Sequence, residues 1–109
     1  MIVAVVSDTH GSVTAWENAE SLFCDARLVI HCGDVLNHGP GNPLPDGYNP
    51  RELCNALNGC TIPLLPVQGN CDSEVDRQVL TFPFAAPYAV VCIDGVLIIA
   101  SHGHHFPEE

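Results

Sequence analysis

The sequence predicts an α/β fold in which apolar strands alternate with helices in a layered, partly parallel sheet. Three observations carry that expectation. Short apolar runs at residues 2–7, 27–31 and 61–67 are separated by stretches with helix signals. Two further strand-like runs, 88–93 and 96–100, flank Asp94-Gly95, a dipeptide that favours a tight hairpin. With 109 residues, 47% of them hydrophobic, the chain holds enough apolar material for one domain with its own core.

Each element has a local reason. Residues 2–7 form the first strand. Ser12 or Thr14 can cap the helix that follows, Thr14-x-x-Glu17 fits a capping box, and Val13, Trp16, Ala19 and Leu22/Phe23 recur at helical spacing as one buried stripe. Trp16 and Phe23 therefore read as core. Residues 27–31 are a second strand, ending at Cys32-Gly33-Asp34. Four prolines and three glycines in residues 35–50 exclude helix and central strand, leaving a long ordered or lid-like loop. Asn49, Pro50 and Glu52 stand as N-cap, N1 and N3 of a second helix that runs to about Asn58 and stops at Gly59. Residues 61–67 are a third strand, and residues 73–76 begin a short helical turn.

Charge and cysteine usage narrow the function. Three arginines (Arg27, Arg51, Arg77) stand against 13 acidic residues, a net charge of −10, which repels a phosphate backbone and argues against a nucleic-acid partner. The start, MIVAVV, has no positive flank and too short an apolar run for a signal peptide or a membrane span. The six cysteines then read as reduced thiols of a cytoplasmic protein, mostly small core residues, and none is spaced as CxxC. Cys54 and Cys60 bracket a helix end and pack.

Four polar clusters share one address. Asp8/His10, Gly33-Asp34, Gly69-Asn70 and His102 each follow an apolar strand, at the carboxyl edge where open α/β sheets bind ligands. Any one of them alone reads as an ordinary turn. Together they offer hard oxygen and imidazole nitrogen, a set suited to Mn²⁺, Fe²⁺ or Zn²⁺ rather than to a thiolate site.

In this order, D-x-H, G-D, G-N-x-D and H-G-H resemble the calcineurin-like metallophosphoesterases, from residue 1 to the end of the chain. The segments GDVLNHGPGNPLPDGYNP and GNCDSEVD resemble one bacterial phosphodiesterase branch of that family more narrowly. The resemblance implies a metallophosphoesterase-type β-sandwich flanked by helices, with residues 1–109 forming a single domain that lacks the C-terminal part. It implies two divalent ions, Mn²⁺ first, with Fe²⁺, Zn²⁺ or Ni²⁺ as other possibilities. Asp8 and His10 would hold one ion, Asp34 would bridge, and Asn70 and His102 would hold the second. Asp34, Asn70 and His102 would also be catalytic. Two such ions, about 3.5–4 Å apart, activate a bridging hydroxide for in-line attack on a small phosphodiester.

Asn37, His38, Cys71 and His104 are candidate substrate contacts. Relatives often carry a His where this chain has Cys71. A thiol is the poorer general acid, so a preference for activated leaving groups is expected. The family's later G-H-x-H does not follow, which predicts an uncovered apolar face and a homo-oligomer. It also leaves open a non-catalytic metal-binding or protein-binding scaffold on the same fold.

Overall fold

The computed structural model describes residues 1–39 and 41–103, so His104 lies outside the described residues. Chain order is β1 (Ile2–Val6), α1 (Val13–Glu20), β2 (Ala26–His31), α2 (Pro50–Asn58), β3 (Leu64–Pro66), α3 (Glu74–Val79), β4 (Tyr88–Ile93) and β5 (Val96–Ser101). The first three strands form a parallel sheet in the order β1-β2-β3, with Val6 beside His31 and His31 beside Pro66. All three therefore end at the same edge. The last two form an antiparallel hairpin, turned at Asp94-Gly95 with both residues at positive φ (51° and 78°), as a tight primed turn requires.

Side-chain alternation builds three layers. From β2, Val29 joins Trp16, Phe23, Leu53 and Leu57 in a core beneath the helices. Its neighbour Ile30 joins Val67, Ala89 and Ala100 on the other face, beneath the hairpin. Trp16 and Phe23 meet edge-on, with ring centroids 5.5 Å apart. Burying such side chains contributes about 1.5–3 kcal/mol each.

The expected elements recur with physical adjustments. Ser12, not Thr14, caps α1: its backbone is extended, its hydroxyl accepts from the Ala15 N–H, and Thr14 already sits in the first turn. The helix stops at Glu20, which puts Phe23 in the core and leaves Leu22 exposed. β3 shortens to three residues and starts just after Pro63, which has no N–H to donate. The 35–50 loop is tied down rather than free. Val13 N–H donates to the Gly47 carbonyl, Asn49 N–H donates to Gly11, and the Ser12 hydroxyl donates to Asp46. Cys54 and Cys60 lie partly buried against the helix-side core. The hairpin's outer face, by contrast, exposes Val90, Leu97 and Ile99.

Candidate metal centre

The centre forms where β1, β2 and β3 end together. Three of its residues stand in the left-handed backbone region: Asp8 at φ 59°, His10 at 46° and Asp34 at 58°. That conformation costs a non-glycine residue about 1 kcal/mol or more, and it persists only where surrounding contacts enforce it. Here they do. Asp8 N–H donates to the Gly33 carbonyl, His10 N–H to Asp34, and Gly11 N–H to Val35, lacing the β1 loop onto the β2 loop. Two glycines permit the closeness. A Cβ on Gly33 would lie 2.6 Å from the Gly69 nitrogen, and one on Gly11 would lie 2.5 Å from the Leu36 carbonyl oxygen.

Asp34 is the hub. Its Oδ1 accepts from Cys71 N–H at 2.8 Å, while its Oδ2 lies 3.6 Å from His10 Nε2 and 3.3 Å from His102 Nε2. The two imidazoles are held alike. His10 Nδ1 donates to the Asn37 carbonyl at 2.9 Å, and His102 Nδ1 donates to the Cys32 carbonyl at 2.8 Å. A neutral ring anchored through Nδ1–H carries its lone pair on Nε2, the atom that faces the carboxylate. Two lone pairs against carboxylate oxygen repel unless a proton or a cation lies among them. Anchoring one ring nitrogen on a carbonyl is also how metal-binding histidines are oriented. The donor set thus fits a divalent cation.

Asp8 adds a second carboxylate, with Oδ1 3.2 Å from His10 Nε2. Partial burial pushes its pKa up, but the Ser7 hydroxyl and the nearby His102 and His10 outweigh that and hold it below the usual carboxylate value. Donor atoms of Asp8, Asp34 and His102 lie within 4.8 Å of one another, and so do those of His10, Asp34 and Cys71. Asp34 belongs to both groups. Cys71 enters as a thiol, since burial first, and then the Asp34 and Asp72 carboxylates, raise its pKa. That disfavours it as a thiolate nucleophile.

The remaining candidates are less converged. Asn70 is exposed on the turn after β3, between Gly69 and Cys71, both of which donate N–H groups into the site. Asn37 reaches His10 through its carbonyl, while its side chain accepts from Gly39 N–H. His38 packs edge-on against Tyr48 at 5.3 Å.

Two positioning residues were not singled out from the sequence. Asp72 is 6% exposed, and its Oδ2 accepts from Asp34 N–H and Gly69 N–H while its Oδ1 accepts from Val35 N–H, at 2.7–2.8 Å. One carboxylate therefore clamps the β3 loop to the β2 loop around Asp34. His31, 1% exposed at the end of β2, joins the β1 loop in a similar way. The D in G-N-x-D was visible, but two of its three backbone partners lie 37 and 38 positions away in the chain.

A parallel sheet whose carboxyl edge gathers two carboxylates and two carbonyl-anchored imidazoles is metallophosphoesterase architecture. Residues 1–109 match the calcineurin-like phosphoesterase superfamily domain, and the chain belongs to that family. It is 42% identical over 111 residues to the phosphodiesterase YfcE of Escherichia coli K12, spanning all of this chain and 60% of that protein. The solved structure of YfcE, a phosphoesterase from E. coli, superposes with a TM-score of 0.89 at 42% identity, over 96% of this chain and 59% of that one. A conserved, uncharacterized Streptococcus pneumoniae TIGR4 protein described as a predicted phosphoesterase matches with a TM-score of 0.52 at 26% identity, over 95% and 46% of the two chains. The chain thus spans about 60% of the length of the curated relatives it matches. Among the described residues, no helix is long and apolar enough to cross a membrane.

Proposed function

We propose that the chain carries the metal centre of a divalent-metal-dependent phosphoesterase that hydrolyses small phosphodiesters. The supporting observation is the shared carboxylate: Asp34 Oδ2 stands between His10 Nε2 and His102 Nε2, and both rings are fixed through Nδ1. Asp8, His10, Asp34, Asn70 and His102 would hold two ions, with Mn²⁺ the first choice for this oxygen and nitrogen set. When bound, such ions lower the pKa of water and neutralise phosphate charge.

The chain's own residues supply the positioning. Asp72 orients the Asp34 backbone, the Asn37 and Cys32 carbonyls orient the two rings, and the loop bearing Asn37 and His38 borders the space for substrate. Cys71, held as a thiol, is a weak proton donor at neutral pH, which favours diesters whose leaving group needs no proton. The net charge of −10 restricts substrates to small phosphates, because a polyanion is repelled.

The test is hydrolysis of bis(p-nitrophenyl) phosphate by the chelated chain, with and without added Mn²⁺, beside Asp34→Asn. Metal-dependent turnover that this substitution abolishes supports the proposal. Metal-independent turnover overturns it. Tight Mn²⁺ binding by a folded but inactive chain transfers the fold to the scaffold reading.

A further inference from the structure

Next to the metal centre, the turn at residues 36–38, Tyr48, α2 and α3 border an open cavity of about 400 Å³, within the range of small-ligand pockets. Asn37 connects the two places: its carbonyl receives the His10 Nδ1–H, and the residue itself lines the cavity. We propose that this cavity is the subsite for one ester group of the diester, and that it selects a neutral aromatic or heteroaromatic group over a small alkyl one. The inference rests on the phosphodiesterase reading of the adjoining centre.

Three features define the occupant. The cavity's sides include two aromatic rings, His38 and Tyr48, set at 81° to each other, together with aliphatic Leu36 and Val79. A flat ring packs against such walls through edge and face contacts worth about 0.5–1.5 kcal/mol per pair beyond simple burial. His38 Nδ1 is shielded from solvent even with the cavity empty, so this wall offers an occupant ring surface rather than a hydrogen bond at that atom. Arg51 and Asp76 both line the cavity, and their charges offset, so the lining has no excess positive charge to hold a second anion. The occupant is therefore uncharged apart from the phosphate itself. A second hollow, of about 370 Å³, borders Asp8 and His10, but Ser12, Thr14, Asn18 and Asp46 line it and its one ring, His10, belongs to the metal centre.

Two diesters with the same leaving group isolate the subsite: phenyl p-nitrophenyl phosphate and methyl p-nitrophenyl phosphate. With the Mn²⁺-loaded full chain, kcat/KM for the phenyl ester is expected to exceed that for the methyl ester at least tenfold, after correction for their alkaline hydrolysis rates. Asn55→Trp and Val79→Trp fill the cavity from solvent-exposed positions on α2 and α3 and should bring the ratio close to one. In parallel, calorimetry of the same protein should show phenylphosphonate binding at least tenfold more tightly than methylphosphonate, with the difference erased in both variants. Equal kcat/KM values and equal phosphonate affinities in the unsubstituted chain overturn the subsite, as does failure to bind either phosphonate. A chain that hydrolyses neither diester yet keeps the phenylphosphonate preference, lost in Asn55→Trp, sinks the phosphodiesterase reading and leaves the subsite standing.

Discussion

His31 Nε2 lies 3.0 Å from Thr9 Oγ1, and the direction of that hydrogen bond is set by its neighbours. Gly33 N–H donates to His31 Nδ1 at 3.1 Å, so Nδ1 must be unprotonated and Nε2–H must be the donor to Thr9. The Thr9 hydroxyl passes the relay on to the Val35 carbonyl at 2.8 Å. A neutral imidazole thereby ties the loop between Asp8 and His10 to the loop carrying Asp34.

The pH dependence of stability follows from this relay. Burial pushes the His31 pKa down to about 4; Asp72 and Asp8 pull it up, while His102 and His10 push it further down. In the unfolded chain the ring titrates near 6.5, so between pH 6.5 and 4 the unfolded state binds more protons and stability falls as pH falls. The full loss is about 3 kcal/mol. Above pH 6.5 this contribution is constant. Urea midpoints at pH 7.5 and 5 should show the drop in the unsubstituted chain. His31→Leu should lower stability at pH 7.5 by about 1–3 kcal/mol, through the orphaned Gly33 N–H, and should flatten the slope between the two pH values. An unchanged slope in that variant would remove His31 as its cause.

Asp72→Asn probes the other clamp. The carboxylate receives three backbone N–H groups, and an amide can offer only one oxygen to them, setting its NH₂ against a donor. A cost of about 1–3 kcal/mol in stability is expected. Because Asp34 then loses its support, Mn²⁺ affinity should fall about ten- to a hundredfold, as for other residues that orient metal ligands. Thermal melts and a Mn²⁺ titration of the variant measure the two effects separately. Full Mn²⁺ affinity in a destabilised Asp72→Asn would reduce Asp72 to a purely structural role.

How much of this was legible in the sequence depended on range. Asp8, His10 and Asp34 stood out because each follows an apolar run and strand ends of a parallel sheet share one edge. His102 also follows an apolar run, but it ends β5 of the hairpin and reaches the site through its Nδ1–H bond to the Cys32 carbonyl. The hairpin was legible because Asp94-Gly95 is a local signal. His31 was not, since it ends the run RLVIH and counts as one more strand residue until the loop from Thr9 is packed against it. The role of Asp72 depends on N–H groups 37 and 38 positions away, which no local pattern reveals. The cavity beside His38 draws its walls from α2, α3 and a loop, and periodicity says nothing about how those three meet. Asn70 was legible as a motif residue, yet it is its two neighbours that hold the site.

Self-association can be tested on the hairpin. Val90 and Ile99 are paired across β4 and β5 and are 56% and 62% exposed, with Leu97 close by at 62%. An apolar strand face of that kind, left open, promotes contact between copies. Light scattering of the 109-residue chain should give a mass above the monomer that rises with concentration, and Ile99→Glu should return it to the monomer value. A strictly monomeric unsubstituted chain would contradict this expectation.

Metal binding should also register as stability, independently of turnover. Asp8 and Asp34 bring two carboxylates against imidazole nitrogens on a backbone that holds three residues in the left-handed region. Both the charge repulsion and the enforced geometry favour the state in which a cation is bound, and the unfolded chain offers no such preformed set. At free Mn²⁺ one hundred times its dissociation constant, the folded state gains about 2.7 kcal/mol. The unsubstituted chain should therefore melt several degrees higher with Mn²⁺ than with chelator, and the shift should depend on metal concentration. Asp34→Asn should lose most of the shift, because it removes the carboxylate common to both donor groups. His10→Gln and His102→Gln should each lose part of it. Equal melting temperatures with Mn²⁺ and with chelator in the unsubstituted chain would mean that these residues do not hold the ion.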